Sequence, residues 1–155
     1  MEQQRCTSAH KITQFLKYTM NPVELRDTVY LGDRYIKSIF FDEKNRIVKI
    51  QINEISRVRG SGWNFYNAEN IIDGFIVCEG VKKYIFNPAV VNETHSNLDI
   101  DGMFVKDLCN NTFEIIFPFY YYASGQRDGQ EIVLTIIASD MYLEDPAKPG
   151  VKIRD

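Results

Sequence analysis

Most active centres are assembled from histidine, cysteine and convergent carboxylates, and in this chain those residues are few or scattered. Its two histidines, His10 and His95, stand in an arm leading to a helix pattern and in a polar stretch, and neither is assigned a catalytic role. Cys6 and His10 have i, i+4 spacing, but two ligands do not make a zinc site. Cys6, Cys78 and Cys109 form no Cys-x-x-Cys motif, and an odd count leaves at least one thiol unpaired within a monomer. Asp99-Ile100-Asp101-Gly102 begins like a calcium loop, then continues into Met103-Phe104-Val105 without the further oxygen ligands. Asp42, Glu43, Asp73, Asp140, Glu144 and Asp145 read as solvated turns. Neither Gly60-Ser61-Gly62 nor the stretch Gly125 to Gly129 has the Gly-Lys-Ser/Thr ending of a phosphate loop. The expectation is a protein that is not an enzyme, with no metal and no cofactor.

Binding chemistry is better represented. Tyr120, Tyr121 and Tyr122 are consecutive, so on a strand they alternate faces and at least one ring points outward, as interface anchors do. Residues 1 to 66 hold 11 Lys and Arg against 7 Asp and Glu, whereas residues 67 to 155 hold 7 against 14. Asp99 and Asp101, in the acidic part, join the three tyrosines as the expected partner-binding residues, suited to a basic protein. The alternative is a small-molecule-binding or enzymatic β domain with a pocket near Trp63, with Arg57, Arg59 and Asn64 as its polar groups. Arg57, Arg59 and Trp63 also interleave charge with an aromatic, as single-strand nucleic-acid sites do. A net charge of −3 and a pI near 5.4 weigh against that use and against an anionic membrane surface.

These groups must be carried by a scaffold, and the sequence reads as strands. A first helix is expected over residues 9 to 20, with Ile12, Phe15 and Leu16 on one stripe and Asn21-Pro22 as its stop. Tyr35 to Phe41 and Arg46 to Ile55 form a hairpin about Asp42-Glu43-Lys44-Asn45, with Val48, Ile50 and Ile52 alternating against Lys49, Gln51 and Asn53. Gly74 to Glu79 and Val81 to Phe86 are strands that pair or bend at Gly80. Residues 89 to 101 read as a loop or a short irregular helix. Met103 to Leu108 and Thr112 to Phe117 pair across Cys109-Asn110-Asn111; Pro118 suggests that the second of them ends there or lies at an edge, the alternative being that Phe119 to Tyr122 extends it; and Glu131 to Ser139 is an interior strand. The expected core includes Val48, Ile50, Ile52, Ile76, Val81, Ile85, Ile115, Leu134 and Ile136.

The fold class that follows is mainly β: an antiparallel sandwich or half-barrel with one short N-terminal helix. A flexible arm (1–8), a single β-rich domain (9–145) and a C-terminal tail (146–155) are expected. No apolar stretch is long enough for a signal peptide or a bilayer span, and with the cysteine usage this points to the cytoplasm.

The runs Leu31 to Ile39, Arg46 to Ile52 and Gly74 to Val81 resemble those of small β-rich bacterial proteins of unknown function. Some such proteins are similar to the immunity proteins encoded beside polymorphic or contact-dependent inhibition toxins. The resemblance spans residues 31 to 120 and implies a non-catalytic protein whose partner is a toxin, here a basic toxin domain. It assigns no functional residue.

Overall fold

The computed structural model describes residues 19–59, 69–88, 98–122 and 129–155. The helix expected over 9–20 falls almost wholly outside them. The helix that is described, α1 (Pro22–Arg26), begins where a stop is expected. The pre-proline restriction holds Asn21 extended at ψ 168°, which is also the geometry of an N-cap, and proline at the first turn has no N–H to leave unbonded. The Asn21 side chain accepts from the Glu24 amide at 2.9 Å, and Glu24 Oε2 accepts from the Asn21 amide at 3.0 Å.

The strands are β1 (Val29–Tyr30), β2 (Arg34–Asp42), β3 (Ile47–Ile52), β4 (Glu54–Arg57), β5 (Ile71–Ile72) and β6 (Phe75–Glu79). They continue with β7 (Lys83–Asn87), β8 (Leu98–Ile100), β9 (Phe104–Asp107), β10 (Phe113–Tyr121), β11 (Gln130–Ala138) and β12 (Asp140–Glu144). The main sheet runs in the order β12-β6-β3-β2-β8-β10-β11-β7, with β9 also beside β10, and all its pairings are antiparallel. A small sheet, β1-β4-β5, accompanies it. The arrangement is sandwich-like and does not close into a barrel.

The expected hairpin forms as β2–β3, its turn fixed by Asp42, which accepts from the Asn45 amide at 3.0 Å and from Asn45 Nδ2 at 2.8 Å. These bonds hold the Asp42 carboxyl below its ordinary value. β6 and β7 do not pair. At Gly80 (φ 65°) the chain turns, β6 remaining beside β3 and β7 joining β11. A Cβ there would lie 1.9 Å from Ser139 Oγ, so the bend requires glycine. Cys109, Asn110 and Asn111 all have positive φ in the β9–β10 turn, the conformation expected of Asn-Asn. Strands also lie where the sequence does not announce them: β1 and β5 have two residues each, β8 falls within a stretch that reads as a loop or short irregular helix, and β12 follows β11 after one residue.

Val48, Ile50, Ile52, Ile76, Val81, Ile115, Leu134 and Ile136 are buried as expected, but Ile85 is 55% exposed. On β7 it is Tyr84 and Phe86 that turn inward, their rings 4.5 and 6.0 Å from that of Phe41, and alternation sends Ile85 out. Cys78 is fully buried and free, its thiol pushed up by desolvation. Cys109 is disulfide-bonded, so the odd cysteine count does not by itself indicate a reducing compartment. No helix among the described residues is long and apolar enough to cross a membrane.

The segment 146–155, tail-like in composition, returns to the sheet. Ile153 exchanges backbone hydrogen bonds of 2.8 and 2.9 Å with Leu143, and its side chain packs on the core. Its neighbours, Lys152 and Arg154, extend over β12.

Candidate functional site

Strand pairing assembles a row that the linear sequence does not reveal. Tyr35 on β2 lies opposite Asp99 on β8, Asp99 opposite Tyr120 on β10, and Tyr120 opposite Glu131 on β11. Each stands next to a residue directed into the core, namely Ile36, Leu98 and Ile100, Phe119, and Ile132. Alternation therefore puts all four on the outer face. The connection after β8 brings Asp101 to the same place, its amide donating to the Pro118 carbonyl at 3.0 Å. The negative charges of Glu131 and then Asp101 raise the Tyr120 hydroxyl above its ordinary value, because a phenolate beside carboxylates would add like charge. Tyr122, 48% exposed, also acts on Tyr120, and its ring lies where a side chain on Gly129 would sit.

Of the expected partner-binding residues, Asp99, Asp101, Tyr120 and Tyr122 thus come together. Tyr121 belongs by alternation to the opposite face, with Phe119, yet is 46% exposed at the strand end. Tyr35 and Glu131 join the row without having stood out in the sequence. Tyr35 reaches the row through β8, a three-residue strand too short to show a period, and Glu131 reaches it through the pairing of β11 with β10.

Further along the same outer face the polar row gives way to apolar side chains. Phe104, Ile116, Thr135 and Ile85 are opposite one another across β9, β10, β11 and β7. Phe104 and Ile85 are 52% and 55% exposed, and the Arg26 guanidinium sits 5.6 Å from the Phe104 ring. An apolar stripe bordered by tyrosine and carboxylate has the composition of a protein interface.

None of Asp99, Asp101 and Glu131 has an ion-pair partner among the described residues. The opposite situation holds on the outer face of β12. Tyr142 stands among Glu79, Asp140 and Glu144, and burial followed by those charges raises its hydroxyl. Here the chain supplies its own cations. Lys152 Nζ lies 4.9 Å and the Arg154 guanidinium 5.2 Å from the Tyr142 ring. Lys152 also pairs with Glu79 at 3.0 Å, and Arg154 with Asp140.

Of the alternative site, Trp63 and Asn64 lie outside the described residues, and its two arginines are held by other parts of the chain. Arg57 is 2% exposed and donates to Thr28 Oγ1 at 3.0 Å and to the Asp155 carbonyl at 2.5 Å. Arg59 binds Glu69 through two bonds of 3.1 and 3.2 Å and also reaches the Asp155 carbonyl at 2.8 Å. Among the described residues no three His, Cys, Asp or Glu side chains are grouped to hold a metal ion.

In comparisons with known proteins, one family model, described as a family of unknown function (DUF6258), matches residues 20–155. No curated protein and no solved structure matches.

Proposed function

The chain belongs to DUF6258, a family of unknown function, and from that starting point we propose that it is a non-catalytic protein-binding domain. Its outer face, on this reading, receives a basic segment of a partner. The observation that carries it is the row Asp99, Tyr120 and Glu131, with Asp101 beside it, whose carboxylates have no ion-pair partner among the described residues and which adjoins an exposed apolar stripe. The β12 face supports the reading from within the molecule: there a Lys-x-Arg segment lies against tyrosine and carboxylates of the same kind. Lysine and arginine gain both charge pairing and contact with the ring face in such a setting. An immunity protein that covers the active face of a basic toxin is the narrower form of the proposal, suggested by the resemblance alone.

A labelled peptide of repeating Val-Lys-Ile-Arg, titrated against the protein by fluorescence anisotropy, tests the face whatever the natural partner is. Binding is expected to weaken with added salt and to be abolished when Asp99 and Asp101 are both replaced by lysine, with thermal unfolding unchanged. Undiminished binding in that variant, or equal loss on replacing the remote Glu43 by lysine, would sink the proposal. For the natural partner, proteins captured by wild type but not by the charge-reversed variant are expected to be basic. A toxin among them would establish the narrower form.

A further inference from the structure

The outer face does not end at its apolar stripe. Past it, strand pairing puts Lys106 on β9 opposite Glu114 on β10, Glu114 opposite Ile137 on β11, and Ile137 opposite Lys83 on β7. The neighbours Val105, Ile115, Ile136 and Tyr84 turn into the core, so alternation sends this row outward as well. Between it and the acidic row lie the Phe104 to Ile85 stripe and a row of Pro118, Val133 and Asn87, β10 running through Pro118 without ending there. Lys83 and Lys106 are exposed and, like Asp99, Asp101 and Glu131, have no ion-pair partner among the described residues.

The face is therefore polarised along its strands, with carboxylates at one end, apolar side chains in the middle and lysines at the other. Such a face is complementary to itself. Laid on a second copy turned by 180° about an axis across the strands, the acidic row of each meets the lysine row of the other. With that axis between the Ile116 and Pro118 rows, Tyr120 faces Glu114 of the second copy. Asp99 then faces Lys106, because β8 and β9 lie on the same side of β10, and Glu131 comes one strand from Lys83. The symmetry makes every contact twice and closes the assembly at two. The paired area is about 20 Å by 20 Å per copy, on the order of 400 Å². That is less than the roughly 800 Å² per partner of a stable interface, and it belongs to the transient class.

We infer that a second copy of this chain covers the outer face, in a weak two-fold dimer whose apolar stripes lie between opposed acidic and lysine rows. Two copies of net charge −3 repel each other at long range, so the attraction comes from the local alternation of sign and not from the overall field. The dimer itself requires no other partner. It buries the surface proposed for a basic partner, and on that reading the partner binds by displacing the second copy, so that self-association sets how much of the face is open.

Sedimentation velocity of the full-length protein alone, between about 10 µM and 1 mM, tests this, with amide shifts of the ¹⁵N-labelled protein followed over the same range. A reversible rise in mass toward the dimer is expected, with concentration-dependent shifts at Ile85, Phe104, Ile116 and Tyr120 and none at Lys148 on the C-terminal turn. Asp99→Lys with Asp101→Lys, and separately Lys83→Glu with Lys106→Glu, set like charges against each other. Each of these variants is expected to self-associate at least about tenfold more weakly than wild type, with thermal unfolding unchanged. An equimolar mixture of the two is expected to restore association, since acid again meets base at both ends of the face. A wild type that stays monomeric throughout, shifts that spread away from the outer face, or a mixture no more associated than its separate variants would each overturn the inference. No peptide is present in these measurements, so failure of the dimer is distinguishable from failure of the partner site.

Discussion

Two outer faces of the sheet carry nearly the same chemistry and differ in what covers them. On β12 a tyrosine among carboxylates is 4% exposed, because Lys152 and Arg154 return over it. On β8, β10 and β11 a tyrosine among carboxylates meets solvent, and no cation of the described residues reaches it. The first face is folded structure in which charge and ring are satisfied within the chain. The second presents the same groups unsatisfied, at little cost, because water solvates exposed carboxylates well. Composition therefore does not separate a structural cluster from a binding surface; the path of the covering segment does.

The comparison holds only if both faces rest on the same core, and the largest effect tests that. Leu134 is fully buried, and Leu134→Ala is expected to cost about 2 to 5 kcal/mol in urea unfolding. Ile85→Ala, on the exposed side of the neighbouring strand, should change stability by less than about 0.5 kcal/mol. Equal costs would show that the two sides of the sheet have been wrongly separated.

The next effect divides the two tyrosine faces directly. Arg154→Ala removes a partly buried ion pair and the cover on Tyr142, and about 1 to 3 kcal/mol of stability should go with it. Tyr120→Ala should leave stability within about 1 kcal/mol of wild type, yet weaken binding of the basic peptide by more than about 2 kcal/mol. Reversal of that pattern would make the β10 face structural and the β12 face available.

The smallest effect separates the causes of two similar titrations. Both hydroxyls are raised above the ordinary 10.0, Tyr142 first by burial and Tyr120 first by the charges of Glu131 and Asp101. In each case the folded state holds its proton more tightly than the unfolded state. The associated stability is complete below about pH 10 and is lost as the pH rises through the folded values. Salt screens exposed charge but not burial. Site-resolved NMR titration in about 1 M salt should therefore bring Tyr120 back toward its ordinary value and leave Tyr142 raised. A parallel response of both would remove the distinction.

Much of the scaffold is legible because its signals are local. The alternation of Val48, Ile50 and Ile52, the Asp42–Asn45 turn and the Cys109–Asn111 turn each depend on residues a few positions apart. The reading fails where one signal serves two structures or where a strand is short. Asn21-Pro22 suits the end of one helix as well as the start of another, since both need an extended residue before proline. Ile85 reads as core because a run such as Tyr84-Ile85-Phe86 is apolar at every position, and alternation alone does not say which phase faces inward.

The candidate site divides in the same way. Asp99, Asp101 and the tyrosines draw notice by type, whereas Tyr35 and Glu131 join them only through the order β2-β8-β10-β11.

By itself, then, the sequence determined that strands form, where most of them turn and which residues are chemically suited to recognition, because backbone preference and side-chain period act over a few bonds. Tertiary structure alone decided which tyrosine is covered by Lys152 and Arg154 and which is left open. It also decided that Arg57 is buried against Thr28 and Asp155, and that Lys106 and Lys83 lie on the same outer face as Asp99 and Glu131. Those outcomes depend on contacts between residues tens of positions apart, whose free energy is settled by the packing of the whole sheet and is not encoded in any local pattern.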